Sequence, residues 1–72
     1  MKKFVYQVKG YEFSDTEAFG TAWKEAKAKA TELNAPIFRL VIKNGEAKQE
    51  FFAKGGVFLS VKFYTEDKVL NF

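Results

Sequence analysis

Residues 37–52 read Ile37-Phe38-Arg39-Leu40-Val41-Ile42-Lys43-Asn44-Gly45-Glu46-Ala47-Lys48-Gln49-Glu50-Phe51-Phe52, two β-rich runs hinged on Asn-Gly. A type I′ turn requires positive φ at both central positions, and Asn followed by Gly meets that need with the least strain. A two-residue loop then fixes the register: Lys43 faces Glu46, Val41 faces Lys48, Arg39 faces Glu50 and Ile37 faces Phe52. The charges agree with it, since two pairs of opposite sign fall across from each other on one face. The other face carries Phe38, Leu40, Ile42, Ala47, Gln49 and Phe51 and is expected to be the core side. Gln49 is the misfit there. Burial without a partner would cost about 1–3 kcal/mol, so it is expected to be hydrogen-bonded.

Downstream, Lys54-Gly55-Gly56 marks the next turn. Val57, Leu59, Val61 and Phe63 alternate as one apolar row, which predicts Ala53 opposite Val57 across a three-residue loop with a left-handed glycine. Continued without interruption, this register puts Leu59 beside Phe51, Val61 beside Gln49 and Phe63 beside Ala47. Thr65-Glu66-Asp67-Lys68 reads as a polar turn, and Val69 to Phe72 as a short tail that pairs at an edge or folds over a face.

Upstream, Lys3 to Val8 alternates, with Phe4, Tyr6 and Val8 on one side, and predicts a half-buried strand. Lys9-Gly10 turns, and Tyr11-Glu12-Phe13 suits a brief returning strand. Ser14-Asp15-Thr16-Glu17 has the capping-box pattern, announcing a helix that runs to about Leu33. Phe19, Ala22, Trp23, Ala26, Ala30 and Leu33 recur every three or four residues and make one apolar stripe. Asn34 suits a left-handed stop and Pro36 prevents continuation. The sum is a single α+β domain over residues 1–72, one amphipathic helix packed across an antiparallel meander sheet in the order β(β)αβββ. Ala47 is small enough to leave room that Trp23 would fill.

Composition limits the chemistry. The 72 residues contain no Cys and no His, which removes disulfides, thiolate zinc sites, a thiol nucleophile and imidazole acid–base catalysis. Aromatic residues make up 18 % of the chain, and no apolar run approaches the roughly 20 residues of a membrane span. Twelve basic and nine acidic residues give a net charge of +3 with no block of one sign, short of the dense basic stripe of a duplex-DNA binder. Met1-Lys2-Lys3 opens like a signal peptide, but the apolar run after it is broken at Gln7, so the cytoplasm is expected.

No carboxylate pairs in sequence with a nucleophile and base, and Gly55-Gly56 lacks the Gly-Lys-Ser/Thr of a phosphate loop. The chain is therefore expected to be no enzyme and to use no cofactor, metal or small-molecule substrate. Lys54-Gly55-Gly56-Val57-Phe58-Leu59-Ser60-Val61 partly echoes the RNP1 box, but Gly56 and Val61 stand where its stacking aromatics belong.

The expected outer face offers Ile37, Phe52 and Phe58 as an apolar cluster with Tyr64 at the far end, among Lys48, Lys54 and Lys62. Leu70 and Phe72 of the tail would cover this cluster, or a protein partner or second copy would use it. Alternatively, single-stranded nucleic acid would stack bases on Phe52, Phe58 and Tyr64 with its phosphates near the three lysines. A small binding module that engages a protein or itself through this face is the primary expectation, with weak, sequence-tolerant single-strand binding as the alternative.

Phe19-Gly20-Thr21-Ala22-Trp23-Lys24-Glu25-Ala26, Pro36-Ile37-Phe38-Arg39 and Glu50-Phe51-Phe52-Ala53-Lys54-Gly55-Gly56 together resemble short uncharacterised proteins of Gram-positive phages and mobile elements. The resemblance implies a stand-alone cytoplasmic accessory protein with no assigned activity, and it carries over no functional residue.

Overall fold

The computed structural model describes residues 2–65, with side chains described through Lys62. Strands β1 (Lys3–Val8) and β2 (Tyr11–Asp15) precede helix α1 (Thr21–Leu33), followed by β3 (Ile37–Lys43), β4 (Glu46–Phe52) and β5 (Phe58–Thr65). All neighbouring strands are antiparallel, in one sheet of order β2-β1-β3-β4-β5. This is the α+β architecture expected, and the β3–β4 register matches residue for residue from Ile37↔Phe52 to Lys43↔Glu46. Asn44 and Gly45 both adopt positive φ (50° and 78°), as the turn demands. The expected tail, Val69–Phe72, lies outside the described residues.

The side of the sheet that α1 covers is the opposite of the one expected. Phe4, Tyr6, Val8, Ile37 and Phe52 form the main core with Ala22, Trp23, Ala26 and Ala30 of the helix. Val5, Leu40 and Ala47 form a separate cluster on the other side. The cause lies in β1, which inserts next to β3 and pairs Phe4 with Val41 and Tyr6 with Arg39. The apolar row of β1 therefore joins the face bearing Ile37, Arg39 and Val41. Both faces of β3 carry large apolar residues, so β3 and β4 by themselves do not decide which one the helix takes. Trp23 accordingly packs on Tyr6 and Phe52, at ring-centroid distances of 5.6 and 5.1 Å, and not over Ala47.

The helix also starts later than the capping-box pattern predicts. Ser14 stays in β2, paired with Val5; the N-cap position falls on Gly20, which has no side chain to cap with, and Asp15 at the end of β2 answers a first-turn amide instead. One Asp15 carboxylate oxygen accepts the amides of Thr16 (2.8 Å) and Glu17 (3.2 Å), while the other reaches the Ala22 amide at 3.2 Å. These three bonds fold residues 16–20 into a compact approach to α1 and leave Phe19 outside the helix, largely exposed. At the far end Asn34 takes the left-handed conformation expected of it, φ 52° and ψ 51°, and closes the helix on Ala30 and Thr31.

The β4–β5 connection is the expected three-residue loop. Ala53 donates its amide to the Val57 carbonyl (2.8 Å), Gly56 donates to Ala53, and Gly56 has φ +86°. Beyond it, the parity differs. Phe52 pairs with Phe58, but Phe51 pairs with Ser60, so Leu59 is an extra residue in a β-bulge. From there on Val61 is opposite Glu50 and Phe63 opposite Lys48, whereas the uninterrupted register would set them against Gln49 and Ala47.

Candidate interaction surface

Helix α1 packs chiefly over β2, β1 and β3, and touches β4 through Trp23 on Phe52. Most of the helix-side surface of β4 and β5 is thus a shelf beside the helix. At its inner border Arg39 of β3 and Glu50 of β4 stand directly opposite each other, both buried. Arg39 donates from Nε to Glu50 Oε1 at 2.7 Å, and its Nη2 lies 2.5 Å from the same oxygen. Its Nη1 donates to the Ala18 carbonyl (3.2 Å) and to the Tyr6 hydroxyl (3.4 Å). The rings of Phe4, Tyr6, Phe19 and Phe52 stand 5.0–5.8 Å from the guanidinium carbon. A planar guanidinium tolerates this setting because its faces lie against rings while its edge donors find oxygen. Tyr6 itself donates to Ala18, and its burial raises the phenol's pKa above the usual 10.0, opposed by the hydrogen bond from Arg39.

An aromatic chain leads outward from this centre. Phe19 meets Trp23 edge-on at 5.5 Å, Trp23 meets Phe52 at 5.1 Å, and Phe52 meets Phe58 at 5.7 Å. The inner members are buried, and the end members, Phe19 and Phe58, face solvent. Around Phe58, Val57 is 64 % exposed, Leu59 59 % and Val61 37 %. Four large apolar residues within five positions, all this open, make the most conspicuous apolar surface among the described residues. Gly56 brings the hairpin loop against the helix, where a side chain would meet Trp23 Cζ2 at 3.2 Å.

The residues expected to form one binding surface are divided by the fold. Ile37 is fully buried and Phe52 nearly so, both under α1, so neither is available to a partner or a nucleobase. Phe58 remains accessible on the same side. Tyr64 pairs in register with Ala47, and its side chain lies outside the described ones. Lys48 keeps to the shelf with Nζ 3.5 Å from Glu50 Oε2. Lys54 bonds Asn34 on the helix C-cap. Lys62 pairs with Gln49 and holds its ammonium 5.9 Å from the Phe51 ring, on the face away from the helix. Sequence reasoning missed Phe19, Val57, Leu59 and Val61 as surface residues. Phe19 and Val61 fit apolar periodicities; the late helix start leaves Phe19 outside α1, and the bulge sets Val61 opposite Glu50 in the edge strand, exposed.

Two clefts of roughly 410 and 450 Å³ flank β2, one lined by Lys2, Lys3, Ser14, Asp15 and Thr16, the other including Glu12, Thr21 and Glu25. Both are shallow, and their central acid, Asp15, is occupied with backbone amides. Among the described residues no three or more His, Cys, Asp or Glu side chains gather as metal ligands, and no helix is long and apolar enough to cross a membrane. Comparison with protein-family models, with curated proteins and with solved structures returns no match to this chain.

Proposed function

We propose that this chain is a small, non-enzymatic interaction module that engages another protein, or a second copy of itself, through the exposed apolar residues at the start of β5. The observation that supports this is the run Val57-Phe58-Leu59 together with Val61, left exposed on and beside β5 at the edge of the sheet. A contiguous apolar patch with a cationic rim is the composition of a protein contact surface. Lys48 and Lys54 supply that rim and would favour a partner with acidic residues around an apolar centre. A cytoplasmic accessory role is part of the same reading.

The test uses Phe58→Ser combined with Leu59→Ser. Both side chains are more than half exposed, so the fold should survive, as circular dichroism would check. The expected result is loss of self-association in sedimentation, or of a partner recovered with the unmodified protein. Unchanged mass and unchanged capture by the double variant would overturn the reading.

Single-strand nucleic-acid binding has less to draw on, because Phe52 is buried and Lys62 is on the other face from Phe58. That alternative expects a labelled oligonucleotide to bind at low salt and to weaken with salt and with Lys48→Glu/Lys62→Glu. No binding at low salt would remove it.

A further inference from the structure

The Asn44-Gly45 turn carries chemistry as well as geometry. Both residues are exposed, and Gly45 stands in open space with no Cβ to shield its amide nitrogen. That nitrogen and Cγ of the Asn44 side chain are the two ends of a five-membered ring waiting to close. In the folded hairpin they are held apart. Ring closure needs the Gly45 nitrogen on the same side of the Asn44 Cα–C bond as the Asn44 Cβ. With φ 50° at Asn44 and 78° at Gly45 the turn is type I′, whose first central ψ of about +30° holds that nitrogen nearly opposite Cβ. The Lys43↔Glu46 pairing keeps the turn in that state. Asn34, the other asparagine among the described residues, differs on two counts. Ala35 follows it with a Cβ, and Lys54 donates to its side-chain oxygen.

We propose that Asn44 is a self-modification site gated by opening of the β3–β4 hairpin, and that its isoaspartyl product does not reclose the two-residue turn. When the turn opens, the Gly45 nitrogen bonds to Asn44 Cγ. The bond from Cγ to the carboxamide nitrogen breaks, and the Gly45 amide proton leaves with that nitrogen as ammonia. Water then opens the cyclic imide at one of its two carbonyls, and a proton returns to the Gly45 nitrogen. Opening at Cγ leaves an ordinary aspartate at position 44. Opening at the main-chain carbonyl leaves isoaspartate, whose main chain runs through Cβ and Cγ. The first product keeps the fold, because Asp-Gly also suits a type I′ turn. The second lengthens the main chain by a methylene, so the loop no longer matches the strands and the Lys43↔Glu46 register is lost. Either product adds one negative charge to a chain of net charge +3. The site is on a different hairpin from Val57 and Phe58, so it is independent of the proposed interaction surface.

The test ages the full chain at mildly alkaline pH, in buffer and in guanidinium chloride. Tryptic peptides locate the gain of one mass unit, and chromatography separates isoaspartyl from aspartyl forms. Asn44 should convert in both solvents, at least tenfold more slowly in buffer, where the turn opens only transiently. Asn34 should keep its mass. The isoaspartyl fraction should melt below the fresh protein, whereas Asn44→Asp, the other product made directly, should melt with it. Asn44→Gly keeps a turn-forming Gly-Gly pair and should hold its melting temperature through ageing. Equal rates in the two solvents would overturn the gating, and no conversion in buffer would overturn the site in the folded chain. An isoaspartyl fraction that melts with Asn44→Asp would overturn the loss of the turn. Ageing that destabilises Asn44→Gly as much as the unmodified chain would place the damage elsewhere and overturn the proposal.

Discussion

Arg39 and Glu50 meet across β3 and β4 as an ion pair flanked by four aromatic rings, with Nη1 of the guanidinium donating to Tyr6 and Ala18. A pair of this kind adds little net stability against an apolar replacement, because both ions lose their hydration. Its loss by halves is another matter.

Glu50→Leu alone should strand a buried guanidinium and destabilise the domain by about 3–5 kcal/mol. Arg39→Leu combined with Glu50→Leu should recover most of that loss, measured as the shift of the urea midpoint. If the double variant is as unstable as the single one, the pair is held for its hydrogen bonds to Ala18 and Tyr6 and not for charge balance.

Tyr6 gives the domain an alkaline limit. Its folded pKa lies above the ordinary 10.0, so its contribution is complete below that value and is lost as pH rises through the folded pKa. Tyr6→Phe should flatten the stability profile in that window. At neutral pH it should cost only about 1 kcal/mol, because the Ala18 carbonyl keeps its bond from Arg39. Absorbance titration of the tyrosines, set against thermal melts at each pH, checks both.

Asp15 acts at the opposite end of the scale. The Ala22 amide, then that of Glu17, hold its carboxyl below the usual 3.8, so its contribution is present above pH 3.8 and is lost as pH falls through the folded value. Asp15→Asn should therefore flatten the acid limb of unfolding. Gly20→Ala should lower stability through the same group, since its Cβ would stand 2.8 Å from Asp15 Oδ2. The two substitutions together should then be less than additive in thermal melts.

Local chemistry decides the parts of this fold that the sequence makes legible. Asn44-Gly45 fixes the β3–β4 register, Asn34 ends the helix, and Ala53 with Gly56 closes the last hairpin, each through a backbone requirement met by neighbouring residues. The side of the sheet that carries the helix is a non-local choice. It depends on β1 arriving beside β3, and an Arg-Glu row reads as solvent-facing until four rings are gathered around it. The candidate surface inherited that ambiguity, so Phe58 is accessible while Ile37 and Phe52, its expected companions, are core. The Leu59 bulge has no compositional signal at all, because Val57, Leu59, Val61 and Phe63 alternate without a break.

That bulge bears on solubility. From Val57 to Tyr64 the only charge is Lys62, and no proline interrupts the run, which is the profile of a segment that stacks edge to edge with its own kind. The unpaired residue bends and twists β5 and denies such stacking a flat template. Deleting Leu59 would leave every described pairing of β5 intact while straightening the strand, and the same domain would then be prone to fibres.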